Sequence, residues 1–231
     1  MRPVIVGAFA LIAIFSGGLC EAAETAAHAQ KAILVTGAST GIGRNITEHL
    51  AADGYFVYAG ARKEADLKAL GAIRNVQAIR LDVTKPEEIA AAVATVQQGG
   101  RGLYGLVNNA GIGSLDTTVG GSDAEFERVM AVNLFGPYRL TKAFAPLIIA
   151  AKGRITTIGS ISGVLASGIS GAYAMSKHAM EAFTDSLAQE LAPQGVLVSI
   201  VDPGTYNTEI AKNALARSSR DRHTLDRRGP G

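Results

Sequence analysis

Three glycines closely follow an apolar run near residue 30, and this limits the chain's folds more than any other feature. Ala32-Ile-Leu-Val-Thr36 reads as a buried strand, and Thr36-Gly-Ala-Ser-Thr-Gly-Ile-Gly43 follows it directly. Ile42, Ile46 and Leu50 then mark the inner face of a helix ending at Asp53-Gly54. A strand feeding a helix through glycines is a turn whose backbone N–H groups can approach an anion at the helix N-terminus, where the dipole favours negative charge. Gly37, Ser39, Thr40, Gly41, Ile42 and Gly43 are therefore a candidate pyrophosphate cradle. The spacing Gly-x-x-x-Gly-x-Gly differs from the common Gly-x-Gly-x-x-Gly, and a plain strand–helix turn is the alternative reading.

The pattern repeats downstream. Strands are expected at Tyr55–Ala59, Val76–Leu81, Leu103–Val107, Arg154–Ile158 and Val196–Val201. A helix starts at Lys85-Pro-Glu-Glu, where proline and acids suit a first turn. One long helix is expected from Asp123 to about Ala150, kinked near Asn133–Pro137, and another over about Ala172–Leu191. Strand–helix alternation demands a parallel sheet covered on both faces, so the fold class is α/β, a Rossmann-type doubly wound parallel sheet in a single domain. A chain of 231 residues, 48% hydrophobic, suits one such domain. A formal charge of +2 gives no reason to expect nucleic-acid binding. The sole cysteine, Cys20, excludes an internal disulfide, and His28, His49, His178 and His223 lack the spacing of a metal site.

Candidate chemistry lies at four places. After the second strand stand Arg62 and Lys63, with no acid placed to grip ribose hydroxyls. Cations there suit a 2′-phosphate, which puts NADP ahead of NAD. Asp82 closes the third strand as an acceptor for an adenine amino group, or as a turn-capping Asp. Tyr173 and Lys177 are four residues apart on a helix and share a face. A fixed ammonium beside a phenol favours the phenolate and would bring it towards the working range of a general acid or base. Ser160 lies thirteen residues before Tyr173, in reach as a third polar group, although it or Ser162 could be only a turn residue.

The N-terminus carries a separate message. No charge occurs from Pro3 to Cys20 after Arg2, and Ala27-His-Ala29 offers a small-x-small cleavage site. Residues 1–29 therefore read as a signal peptide or membrane anchor, giving a membrane-associated or exported protein. A cytoplasmic protein follows if the start is misassigned.

Taken together, these residues resemble the short-chain dehydrogenase/reductase family over roughly Lys31 to Ile210. Thr36–Gly43 is similar to its cofactor motif, Asn108-Asn-Ala-Gly111 to its Asn-Asn-Ala-Gly signature, and Pro203-Gly204 to its Pro-Gly turn. Asn133, Ser160, Tyr173 and Lys177 are similar to its catalytic tetrad. Gly102–Gly111 looks like the branch holding retinol, hydroxysteroid and 3-hydroxybutyrate dehydrogenases. The resemblance implies an NAD(P)-dependent oxidoreductase moving hydride between nicotinamide and a secondary alcohol or ketone, with a lipophilic substrate. Tyr173 would be the acid or base, and Ser160 would donate to the substrate oxygen. Lys177 would lower the Tyr pKa and hold the nicotinamide ribose, and Asn133 would fix a water beside Lys177. Asn109, Ala110, Gly111, Pro203, Gly204, Thr205 and Thr208 would contact the cofactor. Relatives pair through their long helices, which implies a homo-oligomer.

The chain departs from the family after the Pro-Gly turn, where a substrate-covering helix pair and a seventh strand usually follow. Residues 211–231 read instead as an atypical, disordered tail, arginine-rich and nearly devoid of apolar residues past Arg217. That shortening raises a rival expectation, a non-catalytic or truncated dinucleotide-binding protein.

Overall fold

The computed structural model of the protein describes residues 30–204, 210 and 212–217. The 1–29 leader, Thr205 and Thr208 lie outside the described residues, as do residues 218–231 of the expected tail. Among the described residues, six strands form one sheet: β1 (Ala32–Val35), β2 (Phe56–Ala61), β3 (Val76–Arg80), β4 (Gly105–Asn108), β5 (Arg154–Ile158) and β6 (Leu197–Val201). Their order is β3-β2-β1-β4-β5-β6, and every neighbouring pair is parallel. The helices are α1 (Gly41–Ala52), α2 (Glu64–Gly71), α3 (Pro86–Gln98), α4 (Asp123–Met130), α5 (Gly136–Ala150) and α6 (Gly171–Leu191).

Strand β1 reads as an unbroken apolar run because all four of its residues are buried. Ala32 and Leu34 pack on one face with Phe144 and Ile148 of α5 and Leu187 of α6. Ile33 and Val35 pack on the other with Ala51 of α1 and Leu70 of α2. A strand sandwiched between helices has no polar side to show. Coverage weakens towards β6, whose Leu197 and Val201 are 59% and 50% exposed.

Three features differ from the sequence reading. The helix α2 was not expected, because only Leu67 and Leu70 carry its apolar periodicity. The long helix is not one smooth kinked rod: α4 and α5 are joined by a π-helical turn, Ala131–Phe135. Pro137 lies in the first turn of α5 and has no N–H for the Asn133 carbonyl, so the break falls where expected. Pro146 also lies inside α5. It is tolerated there because it and Lys142, whose carbonyl it leaves unbonded, are both exposed. Finally, residues 212–217 are helical, and Ala214 is buried against Gly113, so this part of the expected tail is ordered by packing.

The sheet order reverses between β1 and β4, which opens a crevice at their C-terminal ends. The turn after β1 is tight. A Cβ on Gly43 would overlap the Gly37 carbonyl oxygen and Asn109 Nδ2. Gly43→Ala should therefore destabilise the protein by roughly 1–3 kcal/mol through overpacking, read as a lowered Tm. An unchanged Tm would show that the turn has room to relax.

Candidate active site

The crevice is a cavity of about 560 Å³ running from Arg62 and Asp82, past the glycine turn, to Ser160, Tyr173 and Lys177. Gly37 and Gly41 have φ of 63° and 56°, the left-handed region that glycine enters without a Cβ penalty. They let the chain turn sharply, so that Gly41, Ile42 and Gly43 at the start of α1, whose N–H groups have no partner within the helix, line the cavity. A Cβ on Gly37 would lie 2.9 Å from Ala110 Cα, so the turn also sits directly against the loop after β4. The Thr36 hydroxyl donates to the Val107 carbonyl at 3.2 Å and accepts from the Asn109 and Ala110 N–H groups, each at 3.0 Å. Asn109 Nδ2 donates to the carbonyls of Thr36 at 2.8 Å and Gly37 at 3.1 Å. This is a small cradle of left-handed glycines at a helix N-terminus, suited to a pyrophosphate.

At the other end of the cradle, Arg62 follows β2 with its side chain 64% exposed, and Lys63 also lines the cavity. Asp82 Oδ1 accepts from Thr84 N–H at 2.9 Å and Thr84 Oγ1 at 2.7 Å, while Oδ2 lies 3.9 Å from Arg62 Nη1. Burial pushes the Asp82 pKa up, but the two Thr84 hydrogen bonds and the charges of Arg62 and Lys85 outweigh it and hold the pKa below the usual value. Asp82 thus caps its own turn, as one of its two sequence readings has it, and also lines the cavity. These residues fit a nucleotide: two cations line this end of the cavity, and the Asp82 carboxylate beside Arg62 is held by Thr84.

The third group is set by β5 and α6. Tyr173 lies in the first turn of α6 and Lys177 one turn on, its side chain buried. Lys177 Nζ donates to the Ile158 carbonyl at 2.7 Å and lies 5.8 Å from the Tyr173 ring centroid. Ser160 Oγ accepts from Ser162 N–H at 3.1 Å, which leaves its own proton free for Tyr173, its other hydrogen-bond partner. Ser160, not Ser162, lines the cavity. Burial lowers the Lys177 pKa to about 8, against the opposing pull of Asp202 and Glu181. The Tyr173 pKa is raised by burial, and the Ser160 hydrogen bond offsets only part of this. The expected lowering by Lys177 is therefore not what the structure shows. The ammonium is turned to the Ile158 carbonyl, and the buried phenol stays neutral.

Asn133, in the π-helical turn, is buried and does not line the cavity. Its Nδ2 donates to the Ile112 carbonyl at 2.9 Å and to Ser176 Oγ at 3.0 Å, and its Oδ1 accepts from Ile112 N–H at 2.9 Å. The side chain is a brace between the 109–113 loop and α6, with one lone pair left for a water.

Of the other expected residues, Ser39, Thr40, Ile42, Gly111, Pro203 and Gly204 all line the cavity. The sequence reading missed Ile112, Val132, Ile210, Asn213 and Arg217, which also line it. Arg217 donates to the Gly113 carbonyl and pairs with Glu125, which Arg128 also holds. The one legible sign of that cover was the i, i+4 spacing of Ile210 and Ala214, which both pack on Gly113.

Comparison with known proteins gives the same outline. The family model described as short chain dehydrogenase matches residues 31–219. The mitochondrial D-beta-hydroxybutyrate dehydrogenase of Mus musculus is 37% identical over 80% of this chain and 57% of its own length. Retinol dehydrogenase 5 of Mus musculus is 38% identical over 77% of this chain and 57% of its own. The chain spans a little over half the length of these two relatives. Among solved structures, a short-chain dehydrogenase from Streptomyces avermitilis superposes with a TM-score of 0.74 at 36% identity, covering 77% of this chain and 66% of that one. With the parallel sheet, the glycine cradle and the Ser160–Tyr173–Lys177 group in place, the chain belongs to the short chain dehydrogenase family.

Proposed function

We propose that this protein is an NAD(P)-dependent oxidoreductase that interconverts a secondary alcohol and a ketone, with NADP preferred. One observation carries the reading: Ser160, Tyr173 and Lys177 line the same cavity as the glycine cradle. A nicotinamide dinucleotide bound there would supply or accept the hydride. On reduction, Ser160 donates to the substrate oxygen as negative charge builds on it, which stabilises the transition state more than the ground state. Tyr173 passes its proton to that oxygen, and a buried, neutral phenol is in the right form for this step. In oxidation Tyr173 is the base. The Lys177 ammonium compensates the phenolate left after transfer, and its side chain faces the same crevice. Asn133 keeps the loop and α6 in register.

NADP preference is supported by Arg62 and Lys63 at the end of β2. The names of the matched relatives, for hydroxybutyrate and for retinol, support an alcohol or ketone substrate, and the second supports a lipophilic one. The rival reading, a dinucleotide binder without catalysis, has less support, since three of the four tetrad residues meet at the cavity and the fourth braces them. In this reading residues 30–210 are the catalytic domain, and residues 1–29 are a signal peptide or anchor placing it at or beyond a membrane. A homo-oligomer through α4–α5 and α6 is supported by exposed Phe126, Tyr138 and Met175; light scattering checks the assembly, and fractionation of tagged protein checks the location.

Tyr173→Phe should cut kcat for ketone reduction roughly 10²–10⁴-fold while leaving NADPH affinity intact. Turnover at the wild-type rate would mean another group delivers the proton. Arg62→Ala should raise the Kd for NADPH far more than that for NADH, by isothermal titration. Equal losses for the two cofactors would remove the phosphate assignment.

A further inference from the structure

The turn that carries Ser160 rests on two carboxyl groups to which the mechanism above gives no part. Asp202, just after β6, accepts from the Ser160 N–H through Oδ1 at 2.9 Å. The Gly159 N–H bonds the Val201 carbonyl at 2.8 Å, and the Ile161 N–H bonds the Pro203 carbonyl at 3.1 Å. Three successive donors are thus held by the end of β6, the middle one by a side chain. Glu181 approaches from α6, one turn beyond Lys177 and on its face. Its carboxyl is hydrogen-bonded to that of Asp202. Glu181 Oε1 is buried with no hydrogen-bond partner among the described residues.

Two glycines make room for these acids. A Cβ on Gly159 would overlap Asp202 Oδ1, and one on Gly163 would come within 2.6 Å of Glu181 Oε1. Two carboxyls hydrogen-bond through one shared proton below the raised Glu181 pKa, and above that pKa each carries its own charge. In keeping with this, the Glu181 pKa is raised, first by burial and then by the charge and hydrogen bond of Asp202. The titratable groups facing the pair are Lys177, His178 and Asp185, all on α6. From β5 comes only the Ile158 carbonyl that Lys177 bonds, and on neighbouring α4 Glu125 and Arg128 are paired with each other. Neither Asp202 nor Glu181 lines the cavity.

We propose that Asp202 and Glu181 are a positioning pair. They brace the Ser160 backbone against the helix carrying Tyr173 and Lys177, and they supply negative charge beside the Lys177 ammonium. The proposal rests on the oxidoreductase reading above. Both carboxyls oppose the burial that lowers the Lys177 pKa to about 8, so removing either charge makes the ammonium lose its proton at lower pH.

The test titrates Lys177 by lysine ¹³Cε NMR, its signal assigned with Lys177→Arg, beside steady-state ketone reduction with NADPH. Wild type, Asp202→Asn, Asp202→Ala and Glu181→Gln are compared. Asn keeps an acceptor for the Ser160 N–H but lacks the charge. The Lys177 midpoint should lie near 8 in wild type, and move to lower pH in Asp202→Asn and Glu181→Gln. The alkaline limb of kcat/KM should follow it. Asp202→Ala should lower kcat on the order of ten- to a hundredfold through misplacement of Ser160, with NADPH KM little changed, and Asn should restore most of that loss. An unmoved midpoint, or wild-type kcat in Asp202→Ala, overturns the proposal. Should Asp202→Ala not fold, failure of Asp202→Asn and Glu181→Gln to move the midpoint overturns it equally. No turnover by wild type would sink the oxidoreductase reading instead, and the NMR titration would still decide whether the pair charges Lys177.

Discussion

The hydroxyl of Thr36 and the carboxamide of Asn109 join the two strands between which the sheet order reverses. β1 and β4 run parallel, but the chain leaves them in different directions, so their C-terminal ends would otherwise part. Thr36 donates to the β4 backbone and accepts two N–H groups from the loop beyond it. Asn109 returns two hydrogen bonds to the β1 turn. Each such bond is worth only about 0.5–1.5 kcal/mol net, but a buried donor or acceptor left unpaired costs more. The network therefore fixes the glycine turn against the 109–113 loop, Asn133 fixes that loop to α6, and α6 carries Tyr173 and Lys177. A glycine turn and a tyrosine–lysine pair far apart in sequence are held in one frame.

Burial tunes the chemistry of that frame more than direct ion pairing does. The lysine is almost wholly out of water, which brings its pKa to about 8, while the phenol beside it is pushed the other way. Both shifts favour neutral forms, as expected for a crevice walled by a packed sheet. The structure answers with negative charge behind the lysine, from Asp202 and Glu181, and with a serine hydroxyl in front of the tyrosine. In the proposed reaction, proton transfer would run between groups whose charges are costly to create and quickly compensated.

Much of this was legible in the sequence because the relevant residues follow simple rules. Strands favour β-branched residues, so Arg154–Ile158, with two isoleucines and two threonines, coincides with β5 residue for residue. The glycine turn, Ser160, Tyr173 and Lys177 stand at spacings that a strand end and a helix face make meaningful, and all line one cavity. What stayed hidden depends on contacts between distant residues. The helix α2 shows only two inward leucines, and the π-helical turn announces itself only as a proline. The order of 212–217 comes from Gly113 a hundred residues away, which admits Ile210 and Ala214 closely. The phenol's raised pKa was misjudged because i, i+4 spacing gives a shared face but not the direction in which the ammonium points. Glu181 and Asp202 look like ordinary surface acids until the fold brings them together behind Ser160.

The proposed chemistry depends on a single placement, a phenol and a buried ammonium at one end of a cavity whose other end would bind phosphate. A crystal structure of the protein with NADPH tests it most directly. The account predicts the pyrophosphate on the first turn of α1, the 2′-phosphate against Arg62, and the nicotinamide beside the hydroxyls of Tyr173 and Ser160. A cofactor lodged with its nicotinamide away from Tyr173, or with no phosphate on the glycine turn, would contradict it.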